Sequence, residues 1–240
     1  MSAAPLVLGF HAVSEQWPWR FSVTPAALRD QVALLRRRGY RFATFGDAMQ
    51  DPSARVAAVT FDDGFRSVAT VAAPLLRELG VPATVFAVTD HVGTGKPLRW
   101  EGIEEWLGGP YEDELAGLSW DELAGLAEAG WEVGSHTCSH PPLPHLGDDA
   151  LHRELAASRE EIERRLGEPC DVLAYPYGAH DRRVLEAARA AGYRAAATFP
   201  PHARGGDALA VPRVGVYREI GPGGFRLRVS PTVRRLRGRR

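Results

Sequence analysis

The chain has 240 residues, 45% hydrophobic, 25% charged and 9% aromatic, which excludes a disordered chain, a collagen-like repeat and a disulfide-stapled miniprotein and leaves material for a sizeable core. The formal net charge is −1, so no global basic field marks nucleic acid as a partner. Two cysteines, Cys138 and Cys170, are too few for a disulfide framework, and no apolar run reaches the roughly 18 residues that span a bilayer.

In chain order, the first apolar run, residues 6–11, has no basic lead-in and turns polar by Ser14, so it reads as a strand rather than a leader, and the expected location is the cytoplasm. Thr24 followed by Pro25 reads as the cap and first position of a helix that stops at Gly39. Short runs rich in β-branched and aromatic residues follow at 56–61, 83–88, 132–135, 172–175, 194–199 and 211–217, and turn signals bound them, so they read as strands. Helices fall between them. Ser119 with Glu122 makes a capping box for a helix ending at Gly130. Residues 148–166 form a long amphipathic stretch with Gly167 behind it, and 181–191 end at Gly192. Residues 89–118, with six glycines plus Trp100 and Trp106, read as an excursion from this framework: a binding loop or a plain surface flap.

Seven strands alternating with helices imply an α/β fold, a parallel sheet covered by helices and closed, or partly closed, into a barrel. The expected organisation is one catalytic domain over residues 1–225 and a tail over 226–240. The tail carries seven arginines and no acid. It reads as a solvated terminus or as a contact with an anionic membrane surface or acidic partner.

Three strand ends carry chemistry. Val59-Thr60-Phe61-Asp62-Asp63-Gly64 places two adjacent carboxylates where parallel α/β folds put reactive groups. Such a pair repels itself unless a cation or proton intervenes; one acid can hold metal while the other stays free as a base, or the pair can merely cap a helix. His136-Thr137-Cys138-Ser139-His140 offers two imidazoles that can share one face of a helical turn and suit zinc or its first-row neighbours. The same geometry would turn Cys138 away, so it is expected as a neutral thiol. Two imidazoles, one carboxylate and an open position make a catalytic metal site, and the spare carboxylate can take a proton from water: the logic of a hydrolase. Tyr175-Pro176-Tyr177-Gly178 ends a strand in a turn able to offer a backbone N–H to an oxyanion and an aromatic wall to a sugar.

These three segments resemble, in order, the first three motifs of the polysaccharide deacetylase family, the NodB-homology carbohydrate esterases, and the resemblance spans roughly residues 6–217. It implies a distorted (β/α) barrel of about seven strands that removes acetyl groups from sugars with one divalent metal, usually zinc, with cobalt or nickel as alternatives. Carried onto this sequence, Asp62 is the catalytic base; Asp63, His136 and His140 are the metal ligands; the Tyr177 N–H helps hold the oxyanion; Tyr175 and Pro176 lie against the substrate. Two departures stand out. The arginine that usually opens the third motif is replaced by Ala174, and Arg213, from a later strand, is the proposed substitute, with a structural ion pair as the plainer reading. The usual late Leu-x-His segment is missing, and the only histidine after His180 is His202. In a permuted branch, similar to the poly-N-acetylglucosamine deacetylases, the acid histidine comes from an N-terminal strand, which here means His11. The implied activity is N-deacetylation of an amino sugar or an N-acetylglucosamine-containing glycan. The alternatives are hydrolysis of another amide or ester, such as an O-acetyl sugar or a cyclic amide, and a silent carbohydrate-binding relative.

Overall fold

The computed structural model describes residues 5–51, 55–199 and 206–233. The chain runs through β1 (Leu6–Phe10), β2 (Ala12–Val13), β3 (Ser22–Val23), α1 (Pro25–Arg37), β4 (Arg41–Ala43), α2 (Phe45–Gln50), β5 (Val56–Phe61), α3 (Ala73–Glu78), β6 (Thr84–Ala87), α4 (Trp120–Glu128), β7 (Glu132–Ser135), α5 (Asp148–Leu166), β8 (Val172–Ala174), α6 (Arg182–Ala190), β9 (Ala195–Thr198), β10 (Val211–Pro212), β11 (Val214–Gly215) and α7 (Pro222–Arg228). The helix starts follow the local chemistry. Thr24 accepts from the Ala27 N–H, Ser119 and Glu122 cap each other reciprocally, and Asp181 accepts from the Val184 N–H.

Every strand pair is parallel. The main sheet runs β10-β9-β8-β7-β6-β5-β1-β11. Its two ends are consecutive in the chain: β10 pairs with β9, the strand breaks at Arg213, and β11 pairs with β1. The sheet therefore nearly closes into the expected barrel, with β4 wedged in beside the first half of β5 as an extra strand. Neither β4 nor the small β2–β3 sheet was expected from the hydrophobic pattern.

The two faces of the strands separate cleanly. Leu6, Leu8 and Phe10 of β1 and Ala57, Val59 and Phe61 of β5 pack outward against helix residues such as Leu28, Val32 and Leu76. Their alternates, Val7 and Ala58, join Phe86, Val172, Ala174, Ala195, Ala197 and Val211 in a second core inside the barrel. Period-two alternation carries the inner face on to Thr60 and Asp62, to His11 and to His136, so polar groups crowd the carboxyl end of a barrel filled below by small apolar residues.

Helix α7 crosses the expected tail boundary at residue 226, with Phe225 and Val229 buried. The rest of the tail from 234, and His202, lie outside the described residues. Among the described residues no helix is long and apolar enough to cross a membrane.

Candidate active site

Asp62 and Arg213 form a buried pair, each 2% exposed. The guanidinium donates Nη1 to Oδ1 and Nη2 to Oδ2 of Asp62, both at 2.6 Å, and Nη1 also donates to Thr60 Oγ1 at 3.0 Å. Arg213 reaches inward because its strand breaks there, with its own N–H given to Thr198 O. Phe199 covers the guanidinium at 4.2 Å, and a Cβ at Gly9 would lie 2.5 Å from that ring, so glycine in β1 makes room for it. Burial pushes the Asp62 carboxyl up, but the Arg213 charge and hydrogen bonds, with His136 and His11 nearby, outweigh it and hold the group below the usual carboxylate range.

His11 follows β1, its Nε2 4.0 Å from Asp62 Oδ2. Its mostly enclosed ring contacts Phe21 at 4.7 Å, Trp19 at 6.0 Å and Phe199 at 6.3 Å, and Nδ1 is buried without a partner among the described residues. Burial lowers its pKa more than Asp63 and Asp62 raise it, so the imidazole is neutral at pH 7.

Asp63 and Gly64 both take positive φ, 74° and 75°, so the chain turns sharply after β5 and Asp63 faces the loop that follows β7. That loop is not the helical turn expected from the His136–His140 spacing. Thr137 and His140 sit at φ 69° and 64°, and the backbone doubles back instead of winding. Thr137 Oγ1 accepts from the His140 N–H, and Glu154 on α5 accepts from the Cys138 and Ser139 N–H groups and from Ser139 Oγ, at 2.6–2.9 Å. Glu154 escaped the sequence reading because nothing local marks a residue fourteen positions downstream of His140.

The result still brings the three expected ligands together. Nε2 of His136 and of His140 lie 3.3 and 3.4 Å from the same oxygen, Asp63 Oδ1, and the donor atoms all fall within 4.8 Å of one another. His136 donates Nδ1–H to Ala174 O at 2.7 Å, which leaves the Nε2 lone pair directed at the cluster when the ring is neutral. Burial drives Asp63 up, but hydrogen bonds from both histidines overcome it and hold it far below the usual range. Burial lowers both imidazoles; Asp63 lifts His136 above its ordinary value, whereas His140 stays below. A buried carboxylate facing two buried imidazoles is a donor set that fits a divalent cation. Cys138 is outside the set: burial and Glu154 push its thiol up to about 11, so it is neutral as expected.

At the third strand end, Tyr177 takes φ 59°, and the hydrogen bonds of the turn begin one residue later, from Gly178 to Tyr175 and from Ala179 to Pro176. The Tyr177 ring is 45% exposed and stands edge-on to His140 at 4.8 Å. The expectation for Tyr175 and Pro176 is corrected. Tyr175 is fully enclosed, its hydroxyl donates to Leu209 O and its ring stacks on His180; Pro176 is buried as well. Neither presents a face to solvent, whereas Tyr177 does. The 89–118 excursion is no detached flap: Trp100 stacks on His140 at 4.5 Å, and Glu101 O accepts from the Tyr177 hydroxyl at 3.4 Å.

Comparison with known proteins places this geometry. Over 207 residues the chain is 26% identical to YxkH of Bacillus subtilis (strain 168), whose name is that of a polysaccharide deacetylase; the match covers 84% of this chain and 66% of the length of that protein. Among solved structures, the deacetylase PplD of Streptococcus pyogenes, in complex with acetate, has a TM-score of 0.77 at 20% identity, covering 96% of this chain and all of that one. IcaB from Ammonifex degensii has a TM-score of 0.68 at 23% identity, covering 98% and 97%. These two structures establish the shared fold. The family model for polysaccharide deacetylase matches residues 49–196, more than half of the sequence, and on that match the chain belongs to the polysaccharide deacetylase family.

Proposed function

We propose that this protein removes an N-acetyl group from an amino sugar or an N-acetylglucosamine-containing glycan, using one divalent cation held by Asp63, His136 and His140. Zinc suits the donor set, and cobalt or nickel would be accepted by it. When bound, the cation supplies Lewis acidity, which eases deprotonation of water and polarises an acetyl carbonyl.

The remaining steps fall to the chain itself. Asp62 is the base: its pairing with Arg213 keeps it ionised and fixes the plane of its carboxylate, and it takes a proton from the attacking water. The Tyr177 N–H, free of the hydrogen bonds of its turn, donates to the developing oxyanion. His11 protonates the departing nitrogen. Its Nε2 lies 4.0 Å from Asp62 Oδ2, and the proton that Asp62 takes from water is relayed to it during turnover. The products are acetate and a free amine. Residues 1–225 make the catalytic domain in this reading, and the arginines from 226 onward serve a peripheral contact with an anionic membrane surface.

The observation that carries the proposal is one cluster at the barrel mouth: a three-donor site beside a separate carboxylate clamped by arginine. The Asp62–Arg213 contact, which puts a guanidinium on Asp62 despite the alanine at position 174, supports an active enzyme over a silent relative. The test is metal content together with acetate release from N-acetylglucosamine oligomers. Asp62→Asn should bind metal and release no acetate, and His136→Ala should lose the metal. Full turnover by Asp62→Asn would overturn the proposal.

A further inference from the structure

Metal-binding imidazoles ordinarily pass the N–H of their second nitrogen to a carbonyl or carboxylate, which fixes the ring. His136 does so through Ala174 O. His140 does not: its Nδ1 is buried and has no partner among the described residues. Its ring is gripped by aromatic faces instead. The Trp100 indole stacks on it at 4.5 Å with 29° between planes, and the Tyr177 ring meets it at 4.8 Å and 63°.

Trp100 is itself held firmly. Leu98 donates to Leu115 O at 2.8 Å, Pro97 and Ala116 form an antiparallel bridge, and Ile103 donates to Trp100 O at 3.2 Å. Leu98, Ile103 and Leu115 are buried in one cluster with Trp17, Trp19 and Phe65. The C-terminal end of the excursion returns to the other ligand loop, where Leu118 donates to Gly64 O at 2.8 Å, one residue past Asp63. One stitched segment thus touches both Asp63's turn and His140's ring.

Resting on the reading that Asp63, His136 and His140 hold a divalent cation, we propose that Trp100 is the positioning residue of His140. Its stacked indole takes the place of the missing hydrogen bond at Nδ1, keeps Nε2 aimed at Asp63 Oδ1, and makes the 89–118 excursion part of the metal site.

The experiment is titration of the full chain with Zn²⁺ and Co²⁺ against a chromophoric chelator, alongside the rate of metal loss to excess EDTA and the melting midpoint of the metal-free protein. Wild type is expected to bind one ion. Trp100→Ala should bind about 10–100-fold more weakly, the range for removing a group that orients a ligand, and release metal correspondingly faster. Trp100→Phe, which keeps a stacking face, should recover most of that loss; Trp100→Leu, which keeps bulk without a ring, should not. Where the alanine variant does not fold, the phenylalanine–leucine pair decides. A merely structural role would lower the metal-free midpoint of all three variants and leave their affinities alike. Wild-type affinity in Trp100→Leu or Trp100→Ala overturns the inference while the metal site stands. Absence of one bound ion in wild type overturns the site and the inference together.

Discussion

Replacing Arg213 by Met tests whether the Asp62 clamp is an energetic keystone or a passive contact. The substitution keeps much of the apolar stem and removes two 2.6 Å charge-assisted hydrogen bonds from a carboxylate that is 2% exposed. Breaking a buried ion pair by deleting one partner costs about 3–5 kcal/mol, because the surviving charge is left desolvated. At about 1.4 kcal/mol per pKa unit, that moves the Asp62 carboxyl upward by roughly 2–4 units, from below the usual range toward neutrality. The sign then reverses between the two proteins. In wild type the folded pKa is depressed, so the pair's contribution is present above the unfolded pKa of about 3.9 and is lost as pH falls through the lower folded value. In Arg213→Met the folded pKa is raised, so the penalty is absent below about pH 4 and grows until the raised pKa is passed. Urea unfolding of the metal-free proteins at pH 4.5 and pH 8 measures this directly. The deficit of Arg213→Met should be larger at pH 8 than at pH 4.5 by the penalty that builds up above pH 4, and Asp62→Asn in the same background should remove most of that increase. A deficit that is independent of pH, or below about 1 kcal/mol at pH 8, would refute the argument, since a buried carboxylate cannot lose its paired guanidinium that cheaply.

Three further outcomes follow from the same geometry. Saturating Zn²⁺ should raise the unfolding free energy of wild type by about 2.7 kcal/mol at one hundred times the dissociation constant, and chelation or His136→Ala should abolish the gain in a thermal melt. Glu154→Ala removes the acceptor for three hydrogen bonds in the His136–His140 loop and leaves two backbone donors to find water, so urea unfolding should show a loss of about 1–3 kcal/mol and metal titration a weaker site. Cys138, with its thiol pushed up to about 11, should react slowly with a disulfide reagent at pH 8 and about tenfold faster per pH unit up to that value, as followed by absorbance.

Much of the site was legible because the barrel strands are buried on both faces and end abruptly in polar residues. Asp62, His136 and His11 each continue the inner-facing register of a short apolar run by one or two positions, and that regularity survives without any structural knowledge. Arg213 was reachable by the same route, as a charged residue inside an apolar run. What failed were the features set by single backbone angles. The His136–His140 pair was read as a helical turn because four-residue spacing is what a helix would need; the actual loop depends on positive φ at Thr137 and His140, two residue types that carry no local sign of it. Tyr175 was misplaced against the substrate for a similar reason. Tyr175 and Tyr177 are two apart, and the turn between them, with Tyr177 at φ 59°, sends one inward and leaves the other in the mouth. β4 is three residues long and partly exposed, too short to show a period.

The excursion shows where sequence reasoning meets a physical limit rather than a missing rule. Its glycines and tryptophans identify a loop with large aromatic groups, and that composition fits a flap or a binding element equally well. The difference lies in contacts made far along the chain: Leu118 on Gly64, Trp100 on His140, and Glu101 on Tyr177. Each joins the excursion to a different strand-end loop, and those three loops carry every group the proposed chemistry uses except His11 and Arg213. A segment fastened to all three cannot shift without moving ligands and oxyanion donor together. It follows that substitutions in the excursion should register at the metal site before they register in global stability.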